Sequence, residues 1–404
     1  MRLRIPPERL VVLAGVAAAM HVAKLSTALP VLRDALGVSL VQAGFLLSLV
    51  QLAGMLLGAL VGLAADGLGL RRTLVAGLLL LSLASIAGGF ATSAPALMGL
   101  RALEGLGFLL ASMPAPSLIR RLVPAARVSA ALGWWGAYMP LGTAGALLLG
   151  PAVIAASGWQ GWWWALGAST AAMAAVVVRA VPADTAPPAH GAAAPQGPAP
   201  WAARLRRTLR ASGPWLVAAL FAAYSSQWLA LVGFLPTVYQ QAGLAAGLAG
   251  AATALVALVN MAGNIAAGRL LQRGVPAAVL LRIGFGVMAL GGFIAFAPLP
   301  LQGPAAAGLR YAAALAFSMV GGLVPGTLFS LAVRLAPGED TVSSTVGWMQ
   351  QGSCVGQFAG PPLVAALASA VGGWQWSGGV TAACAGAGLV LTLPLAQRLA
   401  RAAA

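Results

Sequence analysis

The chain has 404 residues, of which 60% are hydrophobic and only 7% charged, with a mean hydropathy of +0.91. A water-soluble domain carries about 25% charged residues to coat its surface, so most of the outer surface here must face lipid. A spanning helix takes roughly 20 apolar residues, which leaves room for about twelve spans and for no soluble catalytic domain.

In chain order, apolar runs of spanning length are expected at 10–31, 40–63, 73–92, 95–118, 129–153 and 161–180. A second set follows at 214–238, 244–268, 276–298, 306–333, 342–368 and 376–397. No small-residue cleavage site follows the first run, so it reads as an uncleaved first span. Residues 181–213 form a linker: Pro/Ala-rich from Pro182 to Pro200, then Arg204, Arg206, Arg207 and Arg210 on a short amphipathic helix at the membrane surface. The expected organisation is therefore a first bundle over 1–180, a cytoplasmic linker over 181–213 and a second bundle over 214–404.

The formal charge of +16 does not point to nucleic acid. With both termini placed inside, nineteen of the 23 basic residues fall in the inner segments or, like Arg179 and Arg282, toward the inner ends of the adjoining spans; the outer loops hold only Arg33, and the remaining three, Lys24, Arg101 and Arg310, fall within spans. This is the cytoplasmic bias of positive charge, and one miscounted helix would scramble it. Trp159, Trp162, Trp163 and Trp164, with Trp374 and Trp376, are expected at outer boundaries as an aromatic belt. Cys354 and Cys384 fall within apolar runs and read as free buried thiols.

The two sets repeat each other. At an offset of 206, Leu29-Pro30 maps onto Leu235-Pro236, Gly44 onto Gly250, Gly62 onto Gly268 and Asp66 onto Gln272. At 214, Val128-Ser129, Gly133-Trp134 and Gly142 recur as Val342-Ser343, Gly347-Trp348 and Gly356. Gly150-Pro151 and Gly158-Trp159-Gln160 recur as Gly360-Pro361 and Gly373-Trp374-Gln375. Two six-helix repeats in the same orientation are the layout of transporters that rock two bundles about a midplane site.

Between the second and third spans the chain reads Gly62-Leu-Ala-Ala-Asp66-Gly67-Leu-Gly69-Leu-Arg71-Arg72. This resembles the inner-loop signature of the major facilitator superfamily, with Gly67 where a basic residue is usual. Arg101-Ala-Leu-Glu104-Gly105-Leu-Gly107 resembles the helix 4 pattern of the same family, with glutamate at the usual glutamine. A decayed inner-loop copy, Gly268-Arg269-Leu-Leu-Gln272-Arg273-Gly274, follows in the second half. The resemblance implies an all-α membrane fold of twelve helices in two pseudo-symmetric bundles, carrying a solute by alternating access. The cyanate and nitroimidazole transporter-like group is a candidate branch. Drug–proton antiporters have a helix 5 signature ending in Gly-Pro. Helix 5 here has Gly133 and Gly142 in register but its Gly-Pro four residues late, while Gly347, Gly356, Gly360 and Pro361 of helix 11 carry the full spacing.

The resemblance also implies that helices 1, 4, 7 and 10 line a central cavity. Apart from Arg179 and Arg282 toward the inner ends of their spans, every embedded charge falls on one of them: Lys24, beside His21, in helix 1; Arg101 and Glu104 in helix 4; Arg310 early in helix 10. Lys24 lies about 10 Å and Glu104 about 13 Å below the outer surface at 1.5 Å per residue, so the two are expected to meet. The alternatives are a proton- or substrate-responsive cluster and a static pair that fixes helices 1 and 4. Embedded cations outnumber the single acid, which favours an anionic solute. In helix 7, Tyr224, Gln227 and Trp228 offer hydrogen bonds and an aromatic wall, and Asn260, Asn264, Gln350 and Gln351 are weaker polar candidates. Gly62, Asp66, Gly69, Arg71 and Arg72 form the gating motif. By resemblance, Asp66 reaches toward the start of helix 11, where the helix dipole favours an anion.

No cofactor or metal is expected, since His21 and His190 are the only histidines and are too separated for a metal cluster. No phosphate-cradling G-x-x-x-x-G-K-[ST] motif is present, so the chain is not an ATPase and carries no other enzyme signature. The expected partners are a small-molecule solute, protons and the bilayer, with the chain acting as a monomer in a bacterial inner membrane. A proton-driven exporter of hydrophobic compounds and a non-transporting membrane sensor are the competing functions.

Overall fold

A computed structural model describes residues 5–124, 127–184, 201–297 and 303–401, with backbone alone at 62–68, 129, 130, 133 and 201. The first half contains α1 (Pro7–Leu36), α2 (Leu40–Ser48), α3 (Leu52–Leu68), α4 (Leu70–Gly88), α5 (Ala94–Ser112), α6 (Ala115–Leu122), α7 (Val128–Gly136) and α8 (Tyr138–Ala180). A surface helix, α9 (Trp201–Arg210), leads into the second half. That half contains α10 (Ser212–Gln241), α11 (Ala246–Gln272), α12 (Ala277–Phe296), α13 (Gly303–Gly321), α14 (Leu323–Arg334), α15 (Val342–Val371) and α16 (Ser377–Arg401). No strand occurs among the described residues.

Eleven helical stretches among the described residues are long and apolar enough to cross a bilayer. One of them, Trp134–Ala180, has 47 residues. As a straight helix it would be about 70 Å long, more than twice the hydrocarbon thickness. Its helical path breaks at Gly158, where φ is 74° and ψ is 174°. Only glycine adopts that region readily. The stretch is thus two crossings, 138–157 and 159–180, and the total among the described residues is twelve.

Several spans are interrupted within the membrane. A 3₁₀ turn, Leu49–Gln51, joins α2 to α3; Met113–Pro114 separates α5 from α6; Gly322 separates α13 from α14. The last two breaks stand at corresponding places in the repeats, the usual location of functional sites in repeated transporters.

The tryptophans depart from the expected belt. Trp159, Trp162 and Trp163 are 3%, 2% and 0% exposed and belong to the core of the first half, while Trp164 and Trp376 face outward. The turn at Gly158 sends the chain straight back against α1 and α4, so indoles just past it pack inward. Cys354 and Cys384 are free but half-buried, where the sequence predicts full burial.

The two halves meet mainly through α1 on α10, α2 and α3 on α15, and α8 on α11. Residues 21–29 of α1 and 224–237 of α10 are buried without interruption. A helix buried on every face for two or more turns is enclosed all round. Toward the chain ends the same helices each leave a less buried stripe: Leu13, Val16, Ala17 and Met20 on α1, and Trp215, Ala219, Ala222 and Ala223 on α10. The seam is closed at the end opposite the termini and looser at the terminal end.

Candidate functional site

The deepest polar feature lies in the first half, among α1, α4, α5 and the second arm of α8. Lys24, on α1, pairs with Glu104 Oε1 and donates to Ser85 Oγ at 2.9 Å. Its ammonium also stands 4.5 Å from the centre of a Trp163 ring, a cation–π contact. Glu104 presents its other oxygen, Oε2, to Arg101 Nη1 at 2.6 Å, one turn back on α5. Lys24 and Arg101 are at most 1% exposed, as is Glu104, so this is a sealed triad of two cations on one carboxylate.

Arg101 does more than balance charge. Its Nε donates to Leu46 O of α2 at 3.1 Å; Nη1 and Nη2 donate to the carbonyls of His21 and Val22 at 2.5 and 2.9 Å. The planar fork therefore ties α5 to α1 and α2 at once. His21 completes the cluster. The Lys24 ammonium donates to His21 Nδ1 at 3.5 Å, and His21 Nε2–H donates to Thr170 Oγ1 at 2.8 Å. The partners assign that neutral tautomer.

The second half holds an uncharged counterpart. Asn260 Nδ2 donates to Tyr224 Oη at 2.9 Å and to Ser318 O at 2.8 Å, while Trp228 Nε1 donates to Ser318 Oγ at 3.1 Å. Asn264 Nδ2 donates to Asn260 Oδ1 at 3.0 Å. Gln227 Nε2 bonds its own helix at Ala223 O, 2.9 Å, and Gln227 Oε1 is buried without a partner. Arg310 lies apart from both clusters. Its Nη2 donates to Ala297 O at 3.1 Å, capping the carbonyl end of α12, where a cation is favoured.

Glutamines bridge the halves. Gln51, at the 3₁₀ break, donates to Gln357 Oε1 at 3.0 Å. Gln351 Nε2 donates to Met55 O at 2.7 Å and its Oε1 accepts from Ala59 N at 3.1 Å. In an uninterrupted helix that carbonyl and that amide would bond each other. Gln351, one of the weaker sequence candidates, thus bonds a carbonyl and an amide one turn apart on α3; Gln350 makes no such contact among the described residues. Ser85, Thr170, Gln51 and Gln357 were not singled out by sequence, their one signal being a polar side chain within an apolar run.

Of the gating motif, Gly62 and Asp66 lie outside the residues whose side chains are described. Gly69, with φ 92°, precedes α4. The backbone amides of Arg71 and Arg72 both donate to the Asp184 carboxylate, at 3.0 Å each, and Arg71 Nη2 donates to Val178 O. A linker carboxylate therefore caps the N-terminus of α4, an arrangement the dipole favours.

A family model, the Major Facilitator Superfamily, matches residues 11–361. The chain belongs to the major facilitator superfamily. Solved structures of the same fold include a bacterial homologue of the human lysosomal transporter Spinster, inward-facing and unoccupied. It is 16% identical with a TM-score of 0.72, over 96% of this chain and 94% of that one. A D-xylose–proton symporter is also 16% identical with a TM-score of 0.72, over 96% and 95% of the two chains. Among curated proteins, none matches this facilitator. Family and fold make it a multi-pass membrane transporter and not an enzyme.

Proposed function

We propose that this facilitator is a secondary active transporter of a small anion, coupled to protons, in a bacterial inner membrane with both chain ends in the cytoplasm. The carrying observation is the charge count of the sealed triad, in which Lys24 and Arg101 share the single carboxylate of Glu104. Among the described residues no second carboxylate meets them. Unbalanced charge at bilayer depth is costly, about 2.5–3.5 kcal/mol per residue on insertion scales. Once the seam opens beside α1, an arriving anion relieves it, as does a proton leaving Lys24, and one relief substitutes for the other. That substitution is the coupling. The arginine-rich end supports a cytoplasmic placement of the termini, and the seam closed at the opposite end fits an inward-open stage of the cycle.

One observation favours a second reading. The stripes left on α1 and α10 are apolar, from Leu13 to Met20 and from Trp215 to Ala223. As walls of the opening they suit a hydrophobic compound. The test is flux in proteoliposomes under imposed pH gradients, with radiolabelled small carboxylates in one arm and an apolar dye in the other. Carboxylate flux that follows the gradient and is lost in Lys24→Met, which leaves Arg101 and Glu104 as a neutral pair, supports the proposal. Dye efflux without carboxylate flux replaces it with export, and no flux of either kind leaves a sensor.

A further inference from the structure

The seam at the end opposite the termini holds a cavity of about 520 Å³ that the transport reading leaves unused. Arg33 and Asp34 line it from the end of α1; Thr237, Gln240 and Gln241 line it from the end of α10. The repeat accounts for the place. Pro30 and Pro236 are equivalent prolines inside their helices, and the turns that follow them come together where the halves meet.

The lining is rich in unused donors. Thr237 is 3% exposed, and its hydroxyl has no hydrogen-bond partner. Arg33 Nε is also buried and unpartnered. Buried polar groups are nearly always satisfied in folded proteins, so two orphans lining one cavity from its two sides point to something that visits. Trp374 Nε1 donates to Gln241 Oε1 at 2.7 Å. Because indole can only donate, the amide oxygen of Gln241 is held toward Trp374 and its NH₂ is left free to donate elsewhere.

We propose that this cavity binds a carboxylate group. The Arg33 guanidinium takes its oxygens in the forked geometry arginine favours, with the Thr237 hydroxyl and the Gln241 amide as further donors. The carboxylate has two possible sources. A plain organic anion uses these donors alone, whereas an amino acid also places its ammonium on the Asp34 carboxylate. Either ligand touches both halves and so holds this end of the seam closed.

The test measures binding, not flux, so it stands or falls apart from the transported solute. Full-length protein in nanodiscs is titrated with lactate and with alanine, read by thermal unfolding and by tryptophan fluorescence. Saturable binding of either is expected, weakened about tenfold or more in Arg33→Gln, as for loss of a charged hydrogen bond. Thr237→Val should weaken it as well. If Asp34→Asn weakens alanine but not lactate, the amino acid is the source; if lactate binds and alanine does not, a plain anion is. No saturable binding of either probe, or binding that survives both Arg33→Gln and Thr237→Val unchanged, overturns the proposal.

Discussion

Lys24 and Glu104, eighty residues apart in sequence, form an ion pair at 0% and 1% side-chain exposure. Removing one partner of such a pair costs about 3–5 kcal/mol, because the other charge stays buried and uncompensated. Here the two removals are unequal. Lys24→Met leaves Arg101 and Glu104 as a neutral pair, whereas Glu104→Gln leaves two cations facing each other. We predict that Glu104→Gln lowers the melting temperature in detergent more than Lys24→Met does. Adding Lys24→Met to Glu104→Gln should recover part of the loss. Equal melting of the two single variants would show that charge balance does not govern this cluster.

Arg101 carries the next prediction. Its guanidinium reaches Leu46, His21 and Val22 carbonyls on two helices while holding Glu104. A lysine ammonium has the charge but neither the planar fork nor the span. Arg101→Lys is therefore expected to melt well below wild type, because it gives up charged hydrogen bonds to the carbonyls of α1 and α2 at about 1.5–3 kcal/mol each. A lysine variant with unchanged melting would reduce Arg101 to a point charge.

The spans, their number and the meeting of Lys24 with Glu104 were legible because hydropathy and positive-charge bias act over whole helices. Depth along a helix is also readable, at 1.5 Å per residue. Rotation about the axis is not. That is why Arg310 reads as a cavity residue but instead caps Ala297, and why Trp159 to Trp163 read as a belt but pack inside. Each depends on which face a neighbour covers. Gln51, Gln351 and Gln357 were weak or silent for a related reason: their partners are backbone groups or amides 292 to 306 residues away.

Asp184 marks where the linker leaves the first half, and α9 marks where it joins the second. Arg207 Nη1 pairs with Asp340 Oδ2 at 2.8 Å, and Thr208 shares a 2.6 Å hydrogen bond with Ser344 near the start of α15. The linker is thus fastened at both ends. Asp184→Ala removes a cap from two backbone amides and is expected to cost about 1 kcal/mol. The exposed Arg207–Asp340 pair should contribute less and fade with salt. Limited proteolysis between 184 and 201 measures this: cleavage should speed up in Asp184→Ala, and in Asp340→Asn only at low salt. Identical cleavage of all three proteins would mean that the fastenings do not restrain the linker.

Gly54 and Cys354 give a direct handle on the movement of the halves. Gly54 lies on α3 and Cys354 on α15, and a Cβ built on Gly54 would stand 3.3 Å from Cys354 Cβ. Disulfides join Cβ atoms about 3.5–4.5 Å apart, so a few tenths of an ångström of adjustment suffices. One turn on, Gly58 leaves room for Gln351, whose Cβ would be 3.5 Å from an added methyl. Small residues four apart let these helices approach closely across the seam. We predict that Gly54→Cys oxidises with the native Cys354 under mild oxidant, and that the cross-link is absent in Gly54→Cys/Cys354→Ser. If α3 and α15 part when the seam opens and closes, cross-linked protein should lose flux, and reductant should restore it. Efficient cross-linking with undiminished flux would show that these two helices stay together throughout transport, and the moving contacts would then have to lie between α1 and α10 or between α8 and α11.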